Sequence, residues 1–301
     1  MSSQAKEISL KNYTKIIGSG GFGLILGDND NNVVKLFYTV KNCASAQSES
    51  QTHLSVYQKL QEFVLSSKTN YQIYTSKPYG YRDDKISHLN QEFNCAYLMS
   101  YIKPVKIDQT YPYLIHLILK EEYINHYNKV VGRVYTSPPG DDNPPRGYFA
   151  TIDKIASDII PSIPSSIRQN INSIEDIVYR FGLLVGICVI GVEIIPIDAE
   201  YVFSLDDNNT LVVTILDFGM CERMKLENFP NDSIRERTID TYVDKLKYDI
   251  STIDLYFPYT DSALYKYIKD GFRKTSSFFL EREKNTEIRD NKKEIIEKFL
   301  S

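Results

Sequence analysis

The sequence predicts an α+β chain: a small β-rich N-terminal lobe followed by a larger, mainly helical C-terminal lobe. Three observations carry this. Between Ile16 and Tyr38, apolar stretches alternate with turn residues, the pattern of a β-meander. From Ile174 to Gly191 the chain reads as a helix whose second half is apolar all round, as befits an element buried in a large core. Directly after it, Glu193–Gly219 reads as a β-hairpin, two apolar runs joined by the polar turn Asp206–Asn209.

Bulk properties set the frame. The chain has 301 residues, 42% hydrophobic and 25% charged, ordinary for a globular protein of one or two domains. A net charge of −4 argues against bulk nucleic-acid binding, which needs a concentrated basic footprint. Met1–Leu10 has no secretory pattern. The longest apolar run, Phe181–Val192, is too short to span a bilayer, so no transmembrane segment is expected. Cys43, Cys95, Cys188 and Cys221 lie far apart with no paired spacing. That spacing predicts neither a disulfide framework nor a zinc site, and points to a reducing intracellular compartment, the cytoplasm.

In chain order, Ile16–Leu26 enters and leaves the glycine cluster Gly18, Gly20, Gly21 and Gly23 as apolar sequence. A strand, not a helix, follows the glycines, which disfavours a dinucleotide fold, and no Gly-Lys-Ser/Thr is present for a Walker loop. A strand–glycine–strand order suits a flap whose backbone N–H groups approach nucleotide phosphates. Asp28–Asn32 begins like a calcium loop, but Val33 and Thr39 stand where Gly and Glu are required. A solvated hairpin turn is the reading.

Lys35 shares a strand face with Val33 and Phe37. It is either an edge lysine that reaches water or an ammonium aimed at phosphate. Ala46–Val64 has helical spacing, with Leu54, Tyr57, Leu60 and Val64 as its apolar face and Glu49 near its start. Alone, Glu49 reads as an N-terminal-turn carboxylate. With Lys35 and the glycines it suggests the strand–helix Lys–Glu pair that phosphoryl-transfer sites require.

Asn70–Asp84 reads as strand and turn, and Phe93–Ile102 as a strong strand ended by Lys103-Pro104. The lobes divide there, at residues 1–102 and 103–301. Tyr111–Tyr127 is expected to be helical. Residues 131–165 read as an irregular insertion, since the proline-rich Ser137–Gly147 suits neither helix nor central strand. After the polar Met220–Ser233, helices are expected over Ile234–Asp254 and Asp261–Leu280, with Glu281–Ser301 a solvated terminal helix. Asp198, Glu200 and Asp217 gather at one end of the hairpin, where hard oxygen ligands would suit Mg²⁺.

This ordered set resembles the protein-kinase-like superfamily over about Ile16–Gly219. Gly18-Ser-Gly20-Gly21-Phe22-Gly23 looks like the glycine-rich loop, Lys35 like the strand-3 lysine, Glu49 like its helix partner, and Met99–Ile102, with Met99 and Tyr101, like the gatekeeper and hinge. Asp217-Phe218-Gly219 looks like the metal-binding triplet. The resemblance implies a bilobal kinase-like fold that binds ATP and Mg²⁺, with a protein or small molecule as substrate or partner. A narrower likeness, in Val131–Tyr135, Pro145–Phe149 and Asp198–Val202, is to an uncharacterised fungal domain family often labelled zinc-finger proteins.

The departures matter too. A kinase catalytic loop reads His-Arg-Asp-x-x-x-x-Asn. Counting back from Tyr201 puts Glu200 in the place of the Asn, Ile195 in that of the catalytic Asp and Glu193 in that of the His. Asp198 is then the candidate base, from a shifted position. No Ala-Pro-Glu follows. Three readings result: an atypical kinase with Lys35 and Asp198 catalytic and Asp217 and Glu200 on the metal; a pseudokinase or nucleotide-binding interaction module; or an unrelated α+β protein whose Asp217 is a turn residue.

Overall fold

Alternation of apolar residues builds the N-terminal sheet. The computed structural model describes residues 10–19, 23–28, 32–67, 69–83, 85–88, 91–106, 112–117, 147–150, 155–197, 199–252 and 263–301. The meander is β1 (Lys15–Ser19), β2 (Gly23–Gly27) and β3 (Asn32–Phe37). After the long helix α1 (Val40–Ser67) come β4 (Ile73–Tyr74), β5 (Pro78–Arg82), β6 (Ile86–His88), β7 (Gln91–Phe93) and β8 (Cys95–Ser100). Five strands form one sheet in the order β1-β2-β3-β8-β5. On one face Leu24, Leu26, Val34, Leu36, Ala96 and Leu98 pack with Tyr13 and Phe93. On the other, Phe37, Cys95 and Tyr97 meet Cys43 and Ala46 of α1. The Asp28 carboxylate closes the β2–β3 turn, accepting from the Asn32 backbone N–H at 2.7 Å and from its amide at 2.8 Å.

Helix α1 is longer than its apolar pattern suggested, at 28 residues, and rotated from the expected face. Its buried stripe is Cys43, Ala46, Glu49, Ser50, His53, Val56, Leu60 and Phe63, whereas Leu54 is 44% exposed. Polar residues occupy much of the buried side, so apolar periodicity alone selects the wrong stripe.

The C-terminal region adds β9 (Val105–Lys106), β10 (Pro112–Leu117), β11 (Gly147–Ala150), β12 (Ile194–Ile195), β13 (Glu200–Leu205), β14 (Leu211–Leu216) and β15 (Glu222–Arg223). A second sheet runs β11-β10-β13-β14-β4, with β9 beside β10. The hairpin β13–β14 pairs in register from Glu200↔Leu216 to Leu205↔Leu211. Of the helix expected over Tyr111–Tyr127 the described part is not helical: Pro112–Leu117 is strand β10, paired antiparallel with β13 through Ile115↔Phe203 and parallel with β11. A short apolar run fits either period, and here pairing with the neighbouring strands decides it. Residues 118–127 lie outside the described residues. Of the expected insertion, the described parts are β11, a π-helical turn at Ile155–Ile159 and short helical turns at Ile160–Ser162 and Ser165–Arg168.

Helix α2 (Ile174–Gly186) starts at a capping box, Ser173 with Asp176, and continues as a π turn over Ile187–Gly191. It lies against α4 (Tyr265–Leu280), while α3 (Asp232–Thr252) packs on α5 (Thr286–Leu300). The terminal helix is not merely solvated, contrary to expectation. It buries Asn291, Lys292, Ile295 and Phe299, and the Phe299 ring sits 4.4 Å from that of Phe272. Its charged residues outnumber its apolar ones, which hides a narrow apolar seam.

A further correction concerns the cysteines. Cys43 and Cys95 form a disulfide, with Cα atoms 5.8 Å apart. They are 52 residues apart in sequence, but strand and helix pairing brings them together, which spacing alone cannot reveal. The whole is a mixed α/β architecture, loosely bilobal, with a β-rich N-terminal region and a largely helical C-terminal one. Among the described residues no helix is long and apolar enough to cross a membrane.

Candidate functional site

Period 2 places Lys35 with Phe37 on the face of β3 that α1 covers, and its ammonium lies 5.5 Å from the Phe37 ring centre. Glu49 sits on the buried stripe of α1 between Ala46 and His53. The Lys35 Nζ donates to both Glu49 oxygens, at 2.9 and 3.0 Å, and stands 3.5 Å from Asp217 Oδ1. Side-chain exposure falls from 45% at Asp217 to 16% at Lys35 and 7% at Glu49, so only Asp217 faces solvent broadly.

Asp217 reaches the lysine because of its backbone. At the end of β14 its φ is +59°, a left-handed conformation that Asp tolerates better than most residues. The turn aims its carboxylate at Lys35 and drives Phe218 into the core. A Cβ on Gly219 would stand 3.4 Å from Asp217 Oδ1 and 3.5 Å from Glu49 Oε2, so Gly219 lies in ordinary contact distance of both carboxylates.

Burial alone would lower the Lys35 pKa, but the charges of Glu49 and Asp217 outweigh it and hold the ammonium above its ordinary value. Burial pushes Glu49 the other way for a carboxyl, upward, with Asp217 adding to it and Lys35 opposing. The two directions favour opposite states of the pair. The two-oxygen grip at 2.9 and 3.0 Å is that of an ion pair, and the raised lysine is the direction consistent with it.

One turn beyond Glu49 lies a residue that sequence reading missed. His53 is buried, and its ring centre is 5.0 Å from that of Phe218. Burial and the Lys35 charge lower its pKa to about 4, against an opposing hydrogen bond that the ring donates to the Ser76 backbone. The ring is therefore neutral. The Thr75 hydroxyl donates to the Ile215 carbonyl at 2.9 Å, so it accepts from His53 Nε2–H at 3.0 Å, and Nδ1 accepts from the Tyr97 hydroxyl. No local motif marks this histidine.

The remaining expected site residues divide. Glu200 opens β13 opposite Leu216, one register position before Asp217. Met99 and Tyr101 lie at the end of β8 beside β3, both half-buried, and burial pushes the Tyr101 hydroxyl up. Gly18 is in β1 opposite Ile25, past a bulge. Gly23 has a packing reason of its own: a Cβ there would meet the Leu36 carbonyl oxygen at 1.9 Å. Gly20, Gly21 and Asp198 lie outside the described residues.

The loop leading to Asp198 is held at its start. Glu193 has φ +63° and pairs with the buried Lys292 at 2.8 Å, and Ile195 is wholly buried in β12 opposite Glu222. Among the described residues no group of three or more His, Cys, Asp or Glu is placed to hold a metal. Glu200 and Asp217 stand at neighbouring register at this end of the hairpin. The sequence matches no known family's sequence model and no curated protein.

Proposed function

We propose that this chain is a nucleotide-binding protein of protein-kinase-like fold that holds ATP with Mg²⁺ between its two lobes. The observation that carries the reading is Lys35, gripped by both oxygens of Glu49 from α1 while reaching Asp217 at the end of β14. Lys35 and Glu49, 14 residues apart, converge there with the distant Asp217, which supports the reading. A buried ammonium at this junction has the charge and the orientation to hold a phosphate oxygen.

The residues divide the work. Glu49 fixes the Lys35 side chain, and the raised pKa keeps that side chain charged at neutral pH. Asp217, exposed and aimed across the site, would hold the metal with Glu200 beside it. Mg²⁺, when bound, supplies neutralisation of phosphate charge. Gly18–Gly23 would cover the phosphates, and Met99 and Tyr101 would flank the base. Asp198 would accept the proton of an attacking hydroxyl on a protein or small-molecule substrate.

Thermal shift with millimolar ATP and MgCl2 tests the binding. The wild type is expected to gain several degrees, Asp217→Ala to gain none, and Lys35→Ala to gain less. A wild type without any shift would sink the proposal.

One observation favours a second reading, a binding module without catalysis. Where a kinase would carry its catalytic Asp, this chain has Ile195, buried in β12. Phosphate transfer from labelled ATP by the wild type but not by Asp198→Ala supports the enzyme. Nucleotide binding with no transfer by either supports the module.

A further inference from the structure

We infer that the Cys43–Cys95 disulfide is a redox brace that sets the Lys35–Glu49 pair, and with it the affinity for nucleotide. The inference rests on the nucleotide-binding reading above. Its structural basis is an asymmetry in how α1 is held. The second half of the helix, with Val56, Leu60 and Phe63, belongs to the main core. The first half leans on a separate small cluster, Phe37, Cys43, Ala46, Cys95 and Tyr97. The disulfide is a covalent tie inside that cluster, joining the first turns of α1 to β8.

Both ends of the tie adjoin the site. Cys43 precedes Glu49 by under two turns of the same helix. Cys95 pairs with Phe37 in register, and two residues on Tyr97 pairs with Lys35. The bond therefore clamps the helix that carries Glu49 to the sheet that carries Lys35. No acidic residue supports the first turn of α1, so the N-terminal end of the helix lacks that stabilisation.

Reduction would proceed by thiol–disulfide exchange with a dithiol. One thiolate of the dithiol attacks Cys43 Sγ, since Cys43 is 5% exposed and Cys95 is 0%. The S–S bond breaks, and Cys95 leaves as a thiolate that takes a proton. The second thiol of the dithiol then displaces Cys43, which also ends protonated, while the dithiol closes to its own disulfide. The first half of α1 then loses its covalent tie and keeps the apolar contacts of that small cluster with the polar contacts of Glu49 and His53, so Glu49 is freer to move off Lys35, while Phe63 keeps the far end in place.

The test compares oxidised and dithiothreitol-reduced wild type with Cys43→Ser, which removes the bond at the less buried end. Alkylation in denaturant followed by mass measurement establishes the two states, as two labelled thiols (Cys188 and Cys221) against four. In the reduced wild type and in Cys43→Ser, hydrogen exchange is expected to quicken over residues 40–53 but not over 54–67. Mg–ATP is expected to bind about tenfold more weakly than to the oxidised protein, a coupling of ordinary size. Four labelled thiols in protein never exposed to reductant, or equal exchange over residues 40–53 in both states, overturns the brace. If neither state binds nucleotide but exchange still differs as stated, the brace stands as a mechanical device and the nucleotide reading is what fails.

Discussion

A buried ammonium is tolerable only while its partners stay. Removing Glu49 leaves the largely buried Lys35 with Asp217 alone, at 3.5 Å. Glu49→Ala is therefore expected to destabilise the protein by about 3 kcal/mol, the usual cost of breaking one side of a buried pair. The double variant Lys35→Met, Glu49→Leu should recover much of that loss, because it removes the charge as well as its partner. Urea unfolding of both at pH 7 checks the pattern, and a double variant as unstable as the single one would refute it.

His53 makes a prediction of opposite origin, since here the charge is refused. Its folded pKa is about 4, against about 6.5 in an unfolded chain. Between those values the unfolded chain binds a proton that the native protein does not, so stability is full above pH 6.5 and is lost as pH falls toward 4. The loss amounts to about 3 kcal/mol. In urea unfolding at pH 7 and pH 4.5, His53→Gln should lack this component. Equal pH dependence in variant and wild type would count against it. These two kinds of residue also differ in legibility. Lys35, Glu49 and Asp217 each sit in a local pattern (an apolar strand, a helix start, a hairpin end) that marks them. His53 has its meaning from Thr75, Ser76 and Tyr97, which are 22, 23 and 44 residues away, and no window of sequence contains that information.

At the scale of elements, what decides is how closely the backbones approach. A Cβ on Gly182 of α2 would stand 2.2 Å from the Ile268 carbonyl oxygen of α4, and one on Gly271 of α4 would stand 2.0 Å from the Tyr179 carbonyl oxygen. The two helices therefore cross in backbone contact, which explains glycines inside helices despite their poor propensity. Gly182→Ala gains about 1 kcal/mol of helix propensity but forces the helices apart. A net loss of about 2 kcal/mol is expected from overpacking, read as a lower midpoint in urea. A neutral or stabilised variant would show that the crossing can relax. The same scale explains the misread elements. Helix α2 and the β13–β14 hairpin were legible because each satisfies its own period over a long stretch. Apolar periodicity picks the wrong face of helix α1 because the helix buries Glu49, Ser50, Thr52 and His53, and it picks the wrong type for Pro112–Leu117 because pairing with β13, β11 and β9 makes that run a strand.

At the scale of the whole molecule, one short segment sews the two regions together. β4 follows α1 in the chain yet pairs with β14 in the second sheet, through Ile73↔Val213 and Tyr74↔Thr214. Just before it, Gln72 has φ +53° and is 1% exposed. Its amide donates to the Leu211 carbonyl at 2.7 Å and the Arg168 carbonyl at 2.8 Å, and its oxygen accepts from Asn170 N–H at 2.9 Å and from Arg180 at 3.3 Å. Arg180 is itself buried, so losing an acceptor there leaves a charge under-solvated as well as several polar groups unpaired. Gln72→Ala is expected to cost about 3 kcal/mol on that ground. Because the lost bonds join regions rather than elements, the variant should do more than lower stability. In the wild type, native-state hydrogen exchange of β3 and of α2 is expected to converge on one global opening free energy. In Gln72→Ala the two should separate, with β3 opening while α2 stays protected. Uniform weakening, with β3 and α2 still opening together, would mean that the shared core and not this polar joint makes the molecule one cooperative unit.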